Sequence, residues 1–87
     1  MSKVKQVHIV RISNLKRMRV KRGLTQKELA DRSGIPLKSI GNYEQLFRDI
    51  NHARFDIVYR LACALECDVL DIVETGRLPN LKIDPEE

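Results

Sequence analysis

The sequence predicts a small all-α fold of five short helices, and three observations support this class. The chain has 87 residues, of which 43% are hydrophobic and 32% charged, which suits one small core and a polar surface. Apolar residues recur at helical spacing in its second half. Capping residues and glycines divide the chain into short segments. We therefore expect an N-terminal arm (1–13), a helical domain (14–75) and a C-terminal tail (76–87).

The N-terminal residues 4–12 have a mixed pattern, in which neither face is cleanly polar. A short strand and an extended arm both remain open, and a strand would have to pair with the tail or with another subunit. The segment lacks the continuous apolar stretch and the small-residue cleavage site of a signal peptide. With no apolar run long enough for a membrane span, we expect a cytoplasmic protein without membrane contact.

The first predicted helix begins after Ser13 or Asn14, either of which can act as N-cap, and runs to about Arg22. Gly23 suits its end, because glycine adopts the left-handed backbone found there. Leu24 follows as an apolar plug. The inward face consists of Leu15 and Met18.

The second predicted helix covers Gln26 to Ser33 and has clear boundaries. Thr25 with Glu28 three residues later has the spacing of a capping box. Gly34 can end the helix in a left-handed turn. The inward residues are Leu29 and Ala30.

The third predicted helix starts with Pro36 at its first position, after the apolar turn residue Ile35, and runs to about Gln45. Gly41 inside a helix costs about 1 kcal/mol relative to alanine. Either a partner or neighbouring helix approaches closely there, or the glycine is a tolerated defect. The core side consists of Ile40 and Tyr43, and the other faces of Leu37, Lys38, Gly41, Asn42 and Gln45.

A connection over 46–54, with one helical turn near Ile50–Ala53, leads to a fourth helix from about Arg54 to Glu66. Its apolar stripe is typical of a buried helix face and contains Phe55, Val58, Leu61, Ala62 and Leu65. Asp68 can cap a fifth helix that ends near Glu74, before Gly76. The inward residues of that helix are Val69, Ile72 and Val73.

Charge is distributed unevenly. Residues 1–40 carry a net charge of +9 and residues 41–87 a net charge of −5, within a total of +4. This asymmetry indicates a domain that presents one face to a polyanion, although a solvated pattern without a partner is a comparable alternative.

Metal, cofactor and catalytic functions receive little support from the sequence. Cys63 and Cys67 are interpreted as free thiols, and a two-ligand metal site is the weaker alternative because zinc normally takes four ligands. His8 and His52 lack metal-motif spacing. No recognisable catalytic motif occurs, so we expect neither an enzyme nor a cofactor.

The segment TQKELADRSGIPLKSIGNYE (25–44) has the pattern of a helix, a glycine turn and a second short helix. It resembles the lambda-repressor-like (Cro/XRE) helix-turn-helix family, and the similarity extends over about residues 14–74. The matching residues are Leu24, Thr25, Gln26, Leu29, Ala30, Gly34, Ile35, Ile40 and Glu44.

The resemblance implies a homodimeric, double-stranded-DNA-binding transcriptional regulator of prokaryotic or phage type, repressor-like in character. The third helix would enter the major groove. Lys38 suits guanine and Asn42 suits adenine, while Leu37 and Ser39 would contact a thymine methyl group or a base edge. The resemblance assigns phosphate contacts to Gln26, Lys27, Lys16, Lys21, Gln45 and Arg48.

The resemblance also implies an ion pair between Arg19 and Glu44 that holds the third helix at its angle. The chain departs from the family at Leu46, where glycine is common, and at Pro36 and Leu37, where polar residues are common. The connection from its third to its fourth helix is also about three residues longer than the common form in the family. An antitoxin-like protein-binding module is the alternative function, with an apolar docking patch at Leu37, Leu46 and Phe47.

Overall fold

The computed structural model describes residues 12–74, which contain four α-helices and no strand. The helices are α1 (Asn14–Lys21), α2 (Gln26–Ser33), α3 (Leu37–Glu44) and α4 (Phe55–Leu65). Two 3-10 turns, Ile50–His52 and Val69–Asp71, complete this part of the chain. The predicted strand or arm before Ile12 and the predicted tail over 76–87 lie outside the described residues. No helix within 12–74 is long and apolar enough to cross a membrane.

Local capping explains where the first helices begin. The Ser13 hydroxyl accepts a hydrogen bond from the Lys16 backbone N–H at 3.1 Å, so Ser13 rather than Asn14 is the N-cap of α1. Thr25 and Glu28 form the predicted capping box, with reciprocal hydrogen bonds of 2.8 and 3.0 Å. Pro36 is the N-cap of α3 rather than its first helical residue.

Three of the helices end in the same backbone motif. After α1, α3 and α4 the chain enters the left-handed region, with φ of 72° at Gly23, 64° at Leu46 and 55° at Glu66. In each case the next N–H reaches back to the helix; the Phe47 N–H, for example, donates to the Asn42 carbonyl at 2.9 Å. This is the Schellman pattern, which satisfies the last carbonyls of a helix.

The core forms where the four helices meet. Leu29, Ile40, Leu61 and Ile72 are completely buried, and α2 packs most extensively on α4 and α3. The predicted inward residues of α1 to α3 belong to this core or pack against it. Phe55 is an error of the sequence prediction: its side chain is 68% exposed and stacks on Tyr59, with ring centroids 5.8 Å apart. Phe55 is the first residue of α4 and lies three positions before Val58, the first buried residue of the helix.

The predicted fifth helix is also wrong, since only the 3-10 turn Val69–Asp71 forms there. The backbone groups of Glu74 are bonded to the Asn51 side chain instead, with the Glu74 N–H donating at 2.8 Å and its carbonyl accepting at 3.0 Å. The Glu74 carboxylate accepts from the Asn14 N–H at 2.8 Å. These non-local hydrogen bonds replace the ones that a continued helix would make, and the β-branched residues of the segment favour a helix only weakly.

Candidate nucleic-acid interface

The turn between α2 and α3 fixes the angle of these two helices. Gly34 has a φ of 76°, which favours glycine, and its N–H donates to the Ala30 carbonyl at 2.9 Å. Ile35 is buried beneath the turn, and its N–H donates to the Ser33 hydroxyl at 3.1 Å. The direction of α3 therefore follows from a short connection whose two N–H groups are both hydrogen-bonded.

The helix α3 presents one buried face and one open face. Ile40, Tyr43 and Glu44 are buried, whereas Leu37, Lys38 and Gln45 are exposed, and Ser39 and Asn42 are half-buried. A Cβ atom added at Gly41 would meet nothing within 4 Å, so no neighbouring helix among residues 12–74 requires a glycine there. Gly41 therefore either admits the close approach of a partner molecule or is a tolerated defect of the helix.

A buried network anchors α3 to α1 and α2 through the Glu44 carboxylate. The Arg19 guanidinium donates to Glu44 through Nε at 2.6 Å and Nη2 at 3.0 Å, and through Nη1 to the Leu24 carbonyl at 2.7 Å. The Gln26 amide donates to Glu44 Oε1 at 3.0 Å. The side chains of Arg19 and Glu44 are only 12% and 2% exposed. Such a bidentate pair fixes geometry as well as charge.

The connection after α3 forms one wall of an open cleft that contains two arginines. The Asn42 carbonyl accepts from both the Phe47 and Arg48 N–H groups, at 2.9 and 3.1 Å, so this turn folds back onto the last turn of α3. An open cleft of about 380 Å³ lies between the connection and the start of α4. It is lined by Tyr43, Arg48, Asp49, His52, Ala53, Arg54 and Ile57.

The comparison with protein families identifies the same motif. A helix-turn-helix family model covers residues 15–72, well over half of the chain. The chain belongs to the lambda-repressor-like (Cro/XRE) helix-turn-helix family. No curated protein and no solved structure matches it significantly. Within the helix-turn-helix, α2 is the first helix and α3 is the second, which is called the recognition helix here for its position in the motif. The family is one of DNA-binding regulators, so membership supports DNA binding in general terms.

The structure places the candidate contact residues in three groups around the helix-turn-helix. Leu37, Lys38, Ser39 and Asn42 lie on the recognition helix, and Gln45 and Arg48 follow it. Gln26 and Lys27 begin α2, where the first-turn N–H groups are oriented for an anion. Lys16 and Lys21 are exposed on α1, apart from the Glu44 network. Lys27 also approaches Asp31 at 3.7 Å in an exposed pair.

Arg54 is a basic residue near Arg48 that the sequence analysis did not name as a candidate contact. It is the N-cap of α4, lines the cleft together with Arg48, and pairs with Asp56 at 3.1 Å. The segment RDINHAR carries the signal, since Arg48 and Arg54 both lie in the predicted connection between the third and fourth helices. A second basic position thus lies beside the one that the sequence indicated.

The two thiols lie on α4 and just beyond its end. Cys63 is exposed and Cys67 is partly buried, and both are free. Burial raises the pKa of the Cys67 thiol, and a hydrogen bond with the Cys63 sulfur raises the pKa of Tyr59. Within residues 12–74 no group of three or more histidine, cysteine or acidic side chains is arranged to hold a metal ion.

Proposed function

We propose that the chain is a transcriptional regulator that binds specific double-stranded DNA sequences with its recognition helix in the major groove. The observation that supports this most directly is the contrast between the two faces of α3. Its inner face is fixed by the buried Glu44 network, while its outer face is open and carries side chains suited to base edges. A rigid element with an open polar face is the usual device for reading a groove.

Base contacts are proposed for four residues of the recognition helix. The Lys38 ammonium would donate to guanine O6 and N7, and the Asn42 amide would pair with adenine N6 and N7. Ser39 would contact a base edge, and Leu37 a thymine methyl group. Lys38 is the only charged side chain on the exposed face of α3, so hydrogen bonds and apolar contacts carry much of the discrimination.

Phosphate contacts are proposed on both sides of the groove. On one side, the N-terminus of α2 offers the Gln26 backbone N–H, with the Lys27 side chain beside it. The Gln26 side chain already donates to Glu44, which orients its remaining amide oxygen and N–H. On the other side lie Gln45, Arg48 and Arg54, while Lys16 and Lys21 add long-range attraction from α1.

We further propose that the protein acts as a homodimer in the cytoplasm, and the proposal assigns no catalytic step to it. One helix-turn-helix covers only a few base pairs. Two copies on half-sites about one helical turn apart would double the contacts and supply a usable specificity.

Selection from a random duplex library tests the proposed function. We expect enrichment of one sequence with two related half-sites, bound by two chains per duplex in analytical ultracentrifugation. Binding should weaken steeply as salt rises, because phosphate contacts release counterions. No enrichment at low salt would contradict the proposal.

The alternative, an antitoxin-like protein-binding module, is favoured by the apolar side chains near the recognition helix. Phe47 is 76% and Leu37 47% exposed, while Leu46 is only partly exposed. Gel filtration with and without the enriched duplex discriminates between the two functions. A complex that forms with a protein partner, and that duplex does not displace, would support the alternative.

A further inference from the structure

Two of the exposed large apolar side chains flank the recognition helix. Leu37 is its first residue, and Phe47 follows it by three positions. The remaining exposed apolar residues of the described chain belong to separate segments, and they are Ile12, Val20, Phe55, Tyr59 and Leu70. Leu37 and Phe47 therefore lie within the helix-turn-helix or directly after it, where a DNA groove is the proposed ligand.

The exposure of Phe47 is unusual for its place in the backbone. In a Schellman motif, the residue after the left-handed position commonly packs against its own helix. Leu24 does so after α1 and is 9% exposed, whereas Phe47 in the same position after α3 is 76% exposed. Its backbone N–H nevertheless donates to the Asn42 carbonyl at 2.9 Å, so the Phe47 backbone is held against the last turn of α3, beside Arg48.

We propose that Phe47 and Leu37 pack on thymine methyl groups at the two ends of the site covered by α3. This inference rests on the proposed function and names the bases that the recognition helix and Phe47 prefer. The thymine methyl group is the apolar feature of the major groove, and phenylalanine is among the side chains that contact it. The eight residues of α3 span about 12 Å, so the two thymines should lie roughly four base pairs apart.

Replacement of thymine by deoxyuridine tests this proposal, because it removes only the methyl group. Starting from the enriched duplex, each thymine of a half-site is replaced in turn and the dissociation constant is measured by fluorescence anisotropy. We expect two sensitive positions, each weakening binding about fourfold, which corresponds to one buried methyl group. Phe47→Ala should remove the sensitivity at one position and Leu37→Ala at the other.

Phe55→Ala is the matched control, because Phe55 is a similarly exposed phenylalanine outside α3 and the connection that follows it. This variant should retain both sensitive positions. The inference is overturned if no thymine replacement weakens binding, or if Phe47→Ala keeps both sensitivities or weakens binding to every duplex equally. Loss of a protein partner from Phe47→Ala, with DNA binding unchanged, would also overturn it. Failure of the wild-type protein to bind any duplex would refute the proposed function itself, which is a distinguishable result.

Discussion

Glu44 is the residue on which the orientation of the recognition helix depends most. Its carboxylate is buried and receives two hydrogen bonds from Arg19 and one from Gln26, so three segments of the chain meet at one side chain. The attraction within such a pair offsets the cost of burying two charges only when both partners are present. The network therefore fixes the geometry of the site more than it adds stability beyond that of an apolar core.

Replacing Glu44 by glutamine should lower the free energy of unfolding by about 3–5 kcal/mol, because the Arg19 charge would remain buried without its partner. Urea denaturation followed by circular dichroism measures this loss. The control is Asp31→Asn, which removes an ion pair whose side chains are 75% and 70% exposed and should cost less than about 1 kcal/mol. Equal losses in the two variants would mean that the Glu44 network is not a buried pair.

At the scale of elements, the ends of α1, α3 and α4 differ in the residue placed at the left-handed position. Gly23 adopts it without strain, whereas Leu46 and Glu66 carry the steric penalty of a side chain there. Leu46 stands where many members of the family have glycine. Replacing the half-buried Leu46 by glycine would also remove packing contacts, whereas replacing the exposed Glu66 would not.

Glu66→Gly should therefore stabilise the protein, by about 0.5–1 kcal/mol after the entropy of glycine in the unfolded chain is counted. Gly23→Ala is the matched control at the same position of α1. A Cβ atom there meets nothing within 4 Å, so its expected cost of about 1 kcal/mol comes from the backbone alone. Thermal denaturation of both variants should give shifts of opposite sign. A destabilised Glu66→Gly variant would contradict the assignment of strain.

The capping box of α2 should make stability depend on pH. The backbone hydrogen bond from Thr25 holds the pKa of Glu28 below its ordinary value. A lowered folded-state pKa means that the contribution is present above the unfolded value, near 4.3, and is lost as pH falls through the folded value. The amide of Glu28→Gln does not titrate, whereas the wild type loses this contribution in acid. The difference in melting temperature between the two proteins should therefore shrink as pH falls from about 5 to about 3. A constant difference across this window would contradict the prediction.

How much of the structure could be predicted from the sequence depends on how far apart along the chain the interacting residues lie. Thr25, Glu28 and Gly34 define α2 through contacts within a few positions, and these were predictable from the sequence. The Asn51–Glu74 hydrogen bonds that replace the predicted fifth helix join residues 23 positions apart, and no local pattern reveals them. The hydrogen bond from Gln26 to Glu44 is non-local in the same way. The sequence therefore predicted Gln26 as a phosphate contact but did not predict this hydrogen bond.

At the scale of the whole molecule, the uneven charge of the sequence follows the order of the helices. The positive part includes α1, α2 and the start of α3, whereas the negative part includes the exposed residues Glu66, Asp68 and Asp71 beyond α4. Arg48 and Arg54 are positive positions within the acidic part, and they line the cleft that follows the recognition helix. We expect long-range attraction to orient DNA toward the helix-turn-helix before specific contacts form.

The most direct test of the account compares binding to the enriched duplex and to a scrambled duplex of the same composition. The variant with Lys38→Ala and Asn42→Ala should lose about tenfold or more of the preference for the enriched sequence, because each base contact contributes roughly 1–3 kcal/mol of discrimination. Arg48→Gln is the control: it should weaken binding to both duplexes alike and lower the salt slope by about one. If the Lys38 and Asn42 variant keeps the full preference of the wild type, the recognition helix does not read the sequence, and the central claim is wrong.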